Sequence, residues 1–330
     1  DTVSVAAGTY VENLDIPDKK ISLIGENRET TIIDGNGVSS VINVWGTEDG
    51  DDVFISRFIL QNGAGKPFAP HSGNECGGGI FIARLASPLL DNLIIQNNTV
   101  EGAGGGIFVE DGAVLRLFNS IVRNNEIGSG EQGGGIHMSG GTMGFVHNTE
   151  IYENIAMNSG GGIYADSPLY ITNSIIRNNR CVDGTGNGLK ARVYMHNCVV
   201  TQNGWTSENE SGNTGDHSMT VLSNSRIWNS IIWGNYGDSK IQNNQNVHID
   251  YSVIEGGLFE GVDSQNIIWG DHNSSLDPQF NSPESYDFTP NLQTAGHVLN
   301  NGDPNQFFNN SDGTQNHMGH TGGVGMIVLP

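Results

Sequence analysis

Two short motifs recur in register along the chain. One is GGGI, at Gly77–Ile80, Gly104–Ile107, Gly133–Ile136 and Gly160–Ile163, with GNGL at Gly186–Leu189 as a variant. The other is N-S-[IV]-[IV]-x-N-N, seen as NLIIQNN from Asn92, NSIVRNN from Asn119 and NSIIRNN from Asn173, with looser copies elsewhere. Its first Asn falls at 92, 119, 148, 173, 197 and 229, and its last at 98, 125, 154, 179, 203 and 235. A fixed period in this range marks a stack of small units, and it constrains the fold before anything else does.

Each unit holds short apolar strands separated by Gly- and Asn-rich corners, with no helical periodicity. One such coil cannot bury its own apolar face, whereas stacked coils share a continuous core. Asn at a repeated position can stack its amide into a hydrogen-bonded ladder and tolerates a left-handed corner, while Gly suits tight bends. The reading is an all-β chain, a right-handed parallel β-helix. A β-propeller would need longer repeats built from hairpins. Residues 1–330 read as one domain, with 276–330 as a less regular C-terminal closing segment.

Of 330 residues, 14 are Lys or Arg and 36 are Asp or Glu, a formal charge of −22. That excludes a nucleic-acid footprint and argues against an anionic membrane surface. No apolar run approaches the roughly 20 residues of a membrane span, so no membrane insertion is expected. Cys76, Cys181 and Cys198 show no CxxC spacing; an odd count leaves at least one free thiol, and no zinc site is readable. No signal peptide is present, and the chain opens strand-like at DTVSVAAGTY, which reads as a processed or trimmed N-terminus. A monomer, secreted or held at the cell surface, is expected.

The opening DTVSVAAGTYVENLDIPDKKISLIGENRETTIIDGNG, the repeats, and the stretch from Leu276 to Gly323 together resemble the right-handed β-helix proteins of the pectate-lyase-like superfamily. The closing stretch departs from that pattern in carrying His317 and His320. Lyases, hydrolases, epimerases and adhesins share this fold, so the resemblance implies fold more than activity.

Alternate residues of a strand face opposite sides. If the Ile after the glycines points inward, the inward pairs are Ile80/Ile82, Ile107/Val109, Ile136/Met138, Ile163/Ala165 and Leu189/Ala191, all apolar. The outward residues then form two columns. One runs Phe81, Phe108, His137, Tyr164, Lys190, Thr220; the other runs Ala83, Glu110, Ser139, Asp166, Arg192, Leu222. Two long connections, from Asn62 and from Asn203, bracket this face, making a groove of about 24 Å at the usual strand spacing.

A uronate-cleaving lyase must neutralise a carboxylate, remove the neighbouring proton and protonate the departing oxygen. The expected catalytic set is Arg192 as carboxylate binder, His137 or Lys190 as base, and Tyr164 as acid. Phe81 and Phe108 are expected to stack on sugar faces, with Glu110 and Asp166 also lining the groove. The expected partner is thus an anionic polysaccharide such as pectate, alginate or a glucuronate-bearing sulfated fucan. The same wall admits other readings. Glu110 and Asp166 could serve an inverting glycoside hydrolase, the aromatic column alone would suit a carbohydrate-binding adhesin, and Asp166 beside Arg192 would also read as a surface ion pair. Arg123 and Arg177 read as solvated residues flanking the ladder. Ca2+ is an expected cofactor, with the acidic corner Thr47–Asp52, or Glu110 and Asp166 with a substrate carboxylate, as its place.

Overall fold

The computed structural model describes residues 1–17, 20–46, 53–68, 73–128, 130–204, 217–237, 239–243, 245–260 and 267–322. Its strands run parallel from coil to coil. A representative coil places Ile136–Met138 and Met143–His147 in a first sheet, Glu150–Tyr152 in a second and Ile155–Ala156 in a third. Each strand pairs in register with its counterpart in the next coil.

The inward column is Ile80, Ile107, Ile136, Ile163 and Leu189, paired residue to residue. All five lie in one continuous core with Ile82, Val109, Met138, Ala165 and Ala191. Each buried branched side chain contributes about 2 kcal/mol, which is why a coil is stable only between neighbours.

The asparagines divide their work. Asn92, Asn119, Asn148, Asn173, Asn197 and Asn229 all take left-handed corners, with φ between 48° and 54°. The closing asparagines form the ladder. Asn98, Asn125, Asn154, Asn179 and Asn203 are buried, and each Nδ2 donates to the next Oδ1 at 2.9–3.1 Å, ending on Asn235. The glycine triplet is needed for close approach. Gly133 has φ 74°, and a Cβ on Gly134 would stand 2.6 Å from the carbonyl oxygen of Gly161 in the next coil.

The segment after Leu276 lies along the outside of the second sheet. Phe288, Ala295, Val298 and Met318 pack on Ile175, Val199, Ile231 and Val253, which point outward from four successive coils. Asn173 Nδ2 donates to the carbonyls of His320 and Gly322 at its far end. This cover corrects one expectation: Arg177 is not solvated. It is 5% exposed, held between the rings of Tyr152 at 3.7 Å and Tyr286 at 4.1 Å. Arg123 is half-buried, donating from Nη1 to Tyr152 Oη and from Nε and Nη2 to Gln96 Oε1. All three cysteines are buried free thiols.

Candidate functional site

The outward column of the glycine-led strands pairs Phe81, Phe108, His137, Tyr164, Lys190 and Thr220 in that order. The four rings stack, with centroids 5.3, 5.1 and 5.2 Å apart. Such pairs are worth about 1 kcal/mol each beyond burial. His137 stands between Phe108 and Tyr164, on the face opposite the core.

The column is covered, however. Phe81 is 2%, Phe108 0% and His137 3% exposed. The connection from Asn62 folds Lys66–Pro67 against Glu75–Cys76 as a hairpin and sets Phe68 5.6 Å from the ring of Phe81 and 5.2 Å from that of Phe108. Phe81 and Phe108 therefore anchor a loop and present no face to a ligand, contrary to the sequence expectation. His137 Nδ1 donates to the Gln132 carbonyl at 3.2 Å, within the connection that closes over it. Residues 69–72 of the Phe68 loop, and 205–216 of the second long connection, lie outside the described residues.

Beyond His137 the column stays largely covered, with Tyr164 8% and Thr220 3% exposed, and solvent is reached at Asp166. Tyr164 Oη donates to Asp166 Oδ1 at 2.7 Å, and Asp166 is exposed. Burial raises the Tyr164 pKa, and the bond to the Asp166 carboxylate raises it further, so the phenol holds its proton. Lys190 and Arg192 are half-buried and point out from the same strand, Leu189–His196. Lys190 Nζ donates to Ser159 Oγ at 3.4 Å and lies 5.9 Å from the Tyr164 ring centroid.

The second outward column does not continue as expected. Ala165 pairs with Ala191, but Arg192 pairs with Pro168, because Asp166 and Ser167 form a bulge. Asp166 is thus displaced outward, out of line with Arg192. The cause is the link between the two limbs of the first sheet. It spans 110–113 and 139–142 in two coils, shrinks to the bulge at 166–167, is absent from the unbroken strand Leu189–His196, and returns at 222–225. The core is filled, so extra residues in a link can only arch outward. Arg192 therefore sits at the floor of a notch between taller links. Glu110 is two coils from Asp166 and three from Arg192, with Oε2 accepting the Arg84 N–H at 2.9 Å.

Sequence reading missed the second limb. There Arg116, Phe145, Tyr170, Tyr194, Arg226 and His248 line up on the outer face. Phe145, Tyr170 and Tyr194 are half-buried and stack at 5.3 and 4.7 Å. Tyr194 is two residues from Arg192 on the same side of one strand. The alternation in LKARVYMH carries this signal, but the unequal links hide which residues share a row.

No group of three or more His, Cys, Asp or Glu side chains among the described residues converges, and Asp166 and Glu110 are held by separate partners. Thr47–Asp52 lies outside the described residues. No chemistry at the notch is routed through calcium.

Comparison with known proteins agrees with this architecture. A family model described as "Right handed beta helix region" matches residues 40–215. The pectate lyase Pel9A superposes with a TM-score of 0.60 at 14% identity, covering 97% of this chain and 87% of that one. The A-module of mannuronan C-5 epimerase AlgE4 from Azotobacter vinelandii matches at TM-score 0.34 and 12% identity, over 84% of this chain and 91% of that one. The catalytic unit of a GH87 α-1,3-glucanase from Streptomyces thermodiastaticus strain HF3-3 matches at 0.39 and 11%, over 84% and 63%. No curated protein matches the chain. At 14% identity the likeness to Pel9A speaks to the fold and not to the chemistry. With stacked parallel coils, an asparagine ladder and a family match over more than half its length, the chain belongs to the right-handed β-helix family and shares its fold with the pectate lyase Pel9A.

Proposed function

We propose that the chain is a polysaccharide-active enzyme, a lyase that cleaves an anionic, uronate-containing polysaccharide by β-elimination. The observation that carries this reading is the notch at Arg192. There one guanidinium, one lysine amine and one phenol stand beside a half-buried row of aromatic rings on a chain of charge −22. A polyanion needs local cations to offset that charge, and the guanidinium fork suits a carboxylate. Arg192 opposes the charge that grows on the uronate carboxylate as the adjacent carbon loses its proton. Lys190, in its neutral form, takes that proton. It is favoured over His137 because it reaches the open side, whereas His137 is covered. Tyr164 gives its proton to the departing glycosidic oxygen, and Asp166 orients the phenol until then. Tyr170 and Tyr194 supply the sugar platform assigned in sequence to Phe81 and Phe108. A substrate of this size implies action outside the cell.

The test is incubation with pectate, alginate and a glucuronate-bearing sulfated fucan, following both ultraviolet absorbance of an unsaturated product and new reducing ends. A lyase raises both. Reducing ends without absorbance would point to hydrolysis, and binding without either to an adhesin; each outcome sinks the lyase reading.

A further inference from the structure

The outer face of the second sheet holds another polar recess, remote in the fold from the notch. The first outward position of its strands forms a column that is apolar from Ile32 through Ile59, Ile94 and Ile121, and again from Ile175 to Val253. Glu150 alone breaks it, between Ile121 and Ile175. A charged side chain in an otherwise apolar column violates the local pattern, and such violations gather at functional places. At this coil a recess of about 270 Å³ opens, with Arg28 on one wall, His320 of the C-terminal segment on the other, and Asn148 and Asn173 on its rim.

The hydrogen-bonding valences left open there define a ligand. Glu150 Oε2 meets Arg177 Nη2 at 3.4 Å, which leaves Oε1 without a partner among the described residues. Asn148 Nδ2 is used on Asn119 Oδ1 at 2.8 Å, and Asn173 Nδ2 on two carbonyls, so both side-chain oxygens stay open as acceptors. Arg28 binds Glu29 at 3.0 Å and reaches the Asn119 carbonyl at 3.5 Å, with donor capacity to spare. The floor is the apolar pair Ile121 and Ile175. Three acceptors, one donor cation and an apolar floor match a ring that carries several hydroxyls on one edge and C–H groups on a face. The charges around it are already paired, Arg28 with Glu29 and Arg177 with Glu150, which suits a neutral ligand.

We infer that this recess is a carbohydrate subsite that takes one neutral hexopyranose, separate from the notch at Arg192. It anchors a glycan to the flank of the coil stack and has no part in bond cleavage. The inference stands on its own valences and does not rest on the lyase reading.

The probes are the methyl glycosides of glucose, galactose and mannose, with galacturonate as the charged comparison. Binding to the whole chain is followed by saturation-transfer NMR. At least one neutral glycoside binds, and in Arg192→Ala, where the notch no longer holds a uronate, galacturonate binds more weakly than that glycoside. Loss of a charged hydrogen-bonding partner weakens the neutral glycoside's binding about tenfold in Glu150→Ala and in Arg28→Ala, and Arg192→Ala leaves it unchanged. Glu150→Ala also strips Arg177 of its carboxylate, so Arg28→Ala, on a separate loop, supplies the independent variant. The inference is overturned if no neutral glycoside binds, if galacturonate binds Arg192→Ala more tightly than the neutral glycoside does, if Arg28→Ala binds like the parent, or if Arg192→Ala abolishes the neutral-glycoside signal.

Discussion

The phenol of Tyr164 donates to Asp166, two residues on, at 2.7 Å, and the two belong to different environments: the ring is stacked under His137 while the carboxylate stands in water. The bond crosses from the covered half of the first sheet to the open half. It places a proton donor at the edge of the notch without exposing the ring.

Tyr164→Phe keeps the stacking and removes only the hydroxyl. Turnover of a uronate polymer should fall by about 10²-fold or more, the usual worth of a positioned acid, with binding almost intact. Binding by calorimetry and turnover by product absorbance separate the two. Parental turnover in this variant removes Tyr164 from the mechanism.

Arg192→Ala should act differently. The carboxylate is engaged both before and during the reaction, so affinity and turnover should fall together. Arg192→Lys keeps the charge but loses the planar fork and should recover only part of the affinity. Unchanged affinity in Arg192→Ala would place the substrate elsewhere on the molecule.

The asparagine ladder should be intolerant of interruption. Asn154 Nδ2 donates to the Val122 and Tyr152 carbonyls and to Asn179 Oδ1, and its Oδ1 accepts from Asn125. Asn154→Ala leaves these buried groups unpaired and should cost about 3 kcal/mol. Denaturant midpoints measure this; the exposed corner Asn124→Gly serves as the mild comparison, since glycine accepts its left-handed φ of 52°.

Acid should loosen the C-terminal segment before it loosens the coils. Asn229 Oδ1 accepts the Asp303 N–H at 2.7 Å, so its Nδ2 must be the donor to His196 Nε2 at 2.9 Å, which requires that nitrogen unprotonated. His196 also packs under Phe308, and burial holds its pKa down to about 4. His317 Nδ1 likewise accepts the Asn300 N–H; burial lowers its pKa, with Asp312 pulling the other way. His320 is pushed down to about 4 by burial, opposed by Asp287. Once undocked, these imidazoles bind protons below their ordinary value of 6.5, which docked His196 and His320 refuse until about 4. Docking is therefore at full strength above that upper value and weakens as pH falls through the window, by on the order of 3 kcal/mol for His196 alone. Amide exchange, corrected for intrinsic rates, should rise with acid around Val298 and Met318 while staying low at Ile136–Met138. Equal change at both places, or none, contradicts this.

How much of this was legible varies by residue. The Ile107–Ile136–Ile163 column could be read because strand alternation and a glycine marker fix the phase of each coil. The ladder could be read because buried amides have few alternatives. The cover over Phe108 could not, since it depends on where a loop's Phe68 lands, a non-local contact that no repeat encodes. The Asp166–Arg192 pairing failed for a different reason: equal link lengths were assumed, and a bulge moved Asp166 out of the row. The row through Tyr170 and Tyr194 was hidden by the same unequal links. Arg177 looked solvated because the segment that buries it lies more than a hundred residues downstream.

The varying length of the link above Arg192 bears on how such a molecule changes over generations. The strands on either side of each link are pinned by the coils above and below, so a residue inserted or deleted between them leaves the core undisturbed. Asp166 and Ser167 have this character: they stand across from nothing in the following strand, yet Ala165 and Pro168 on either side keep their pairing. A new reactive group can thus be gained at the edge by a two-residue insertion and lost by its reversal, with folding left intact. Heritable variation in chemistry is confined to the corners, where it is nearly free of structural penalty.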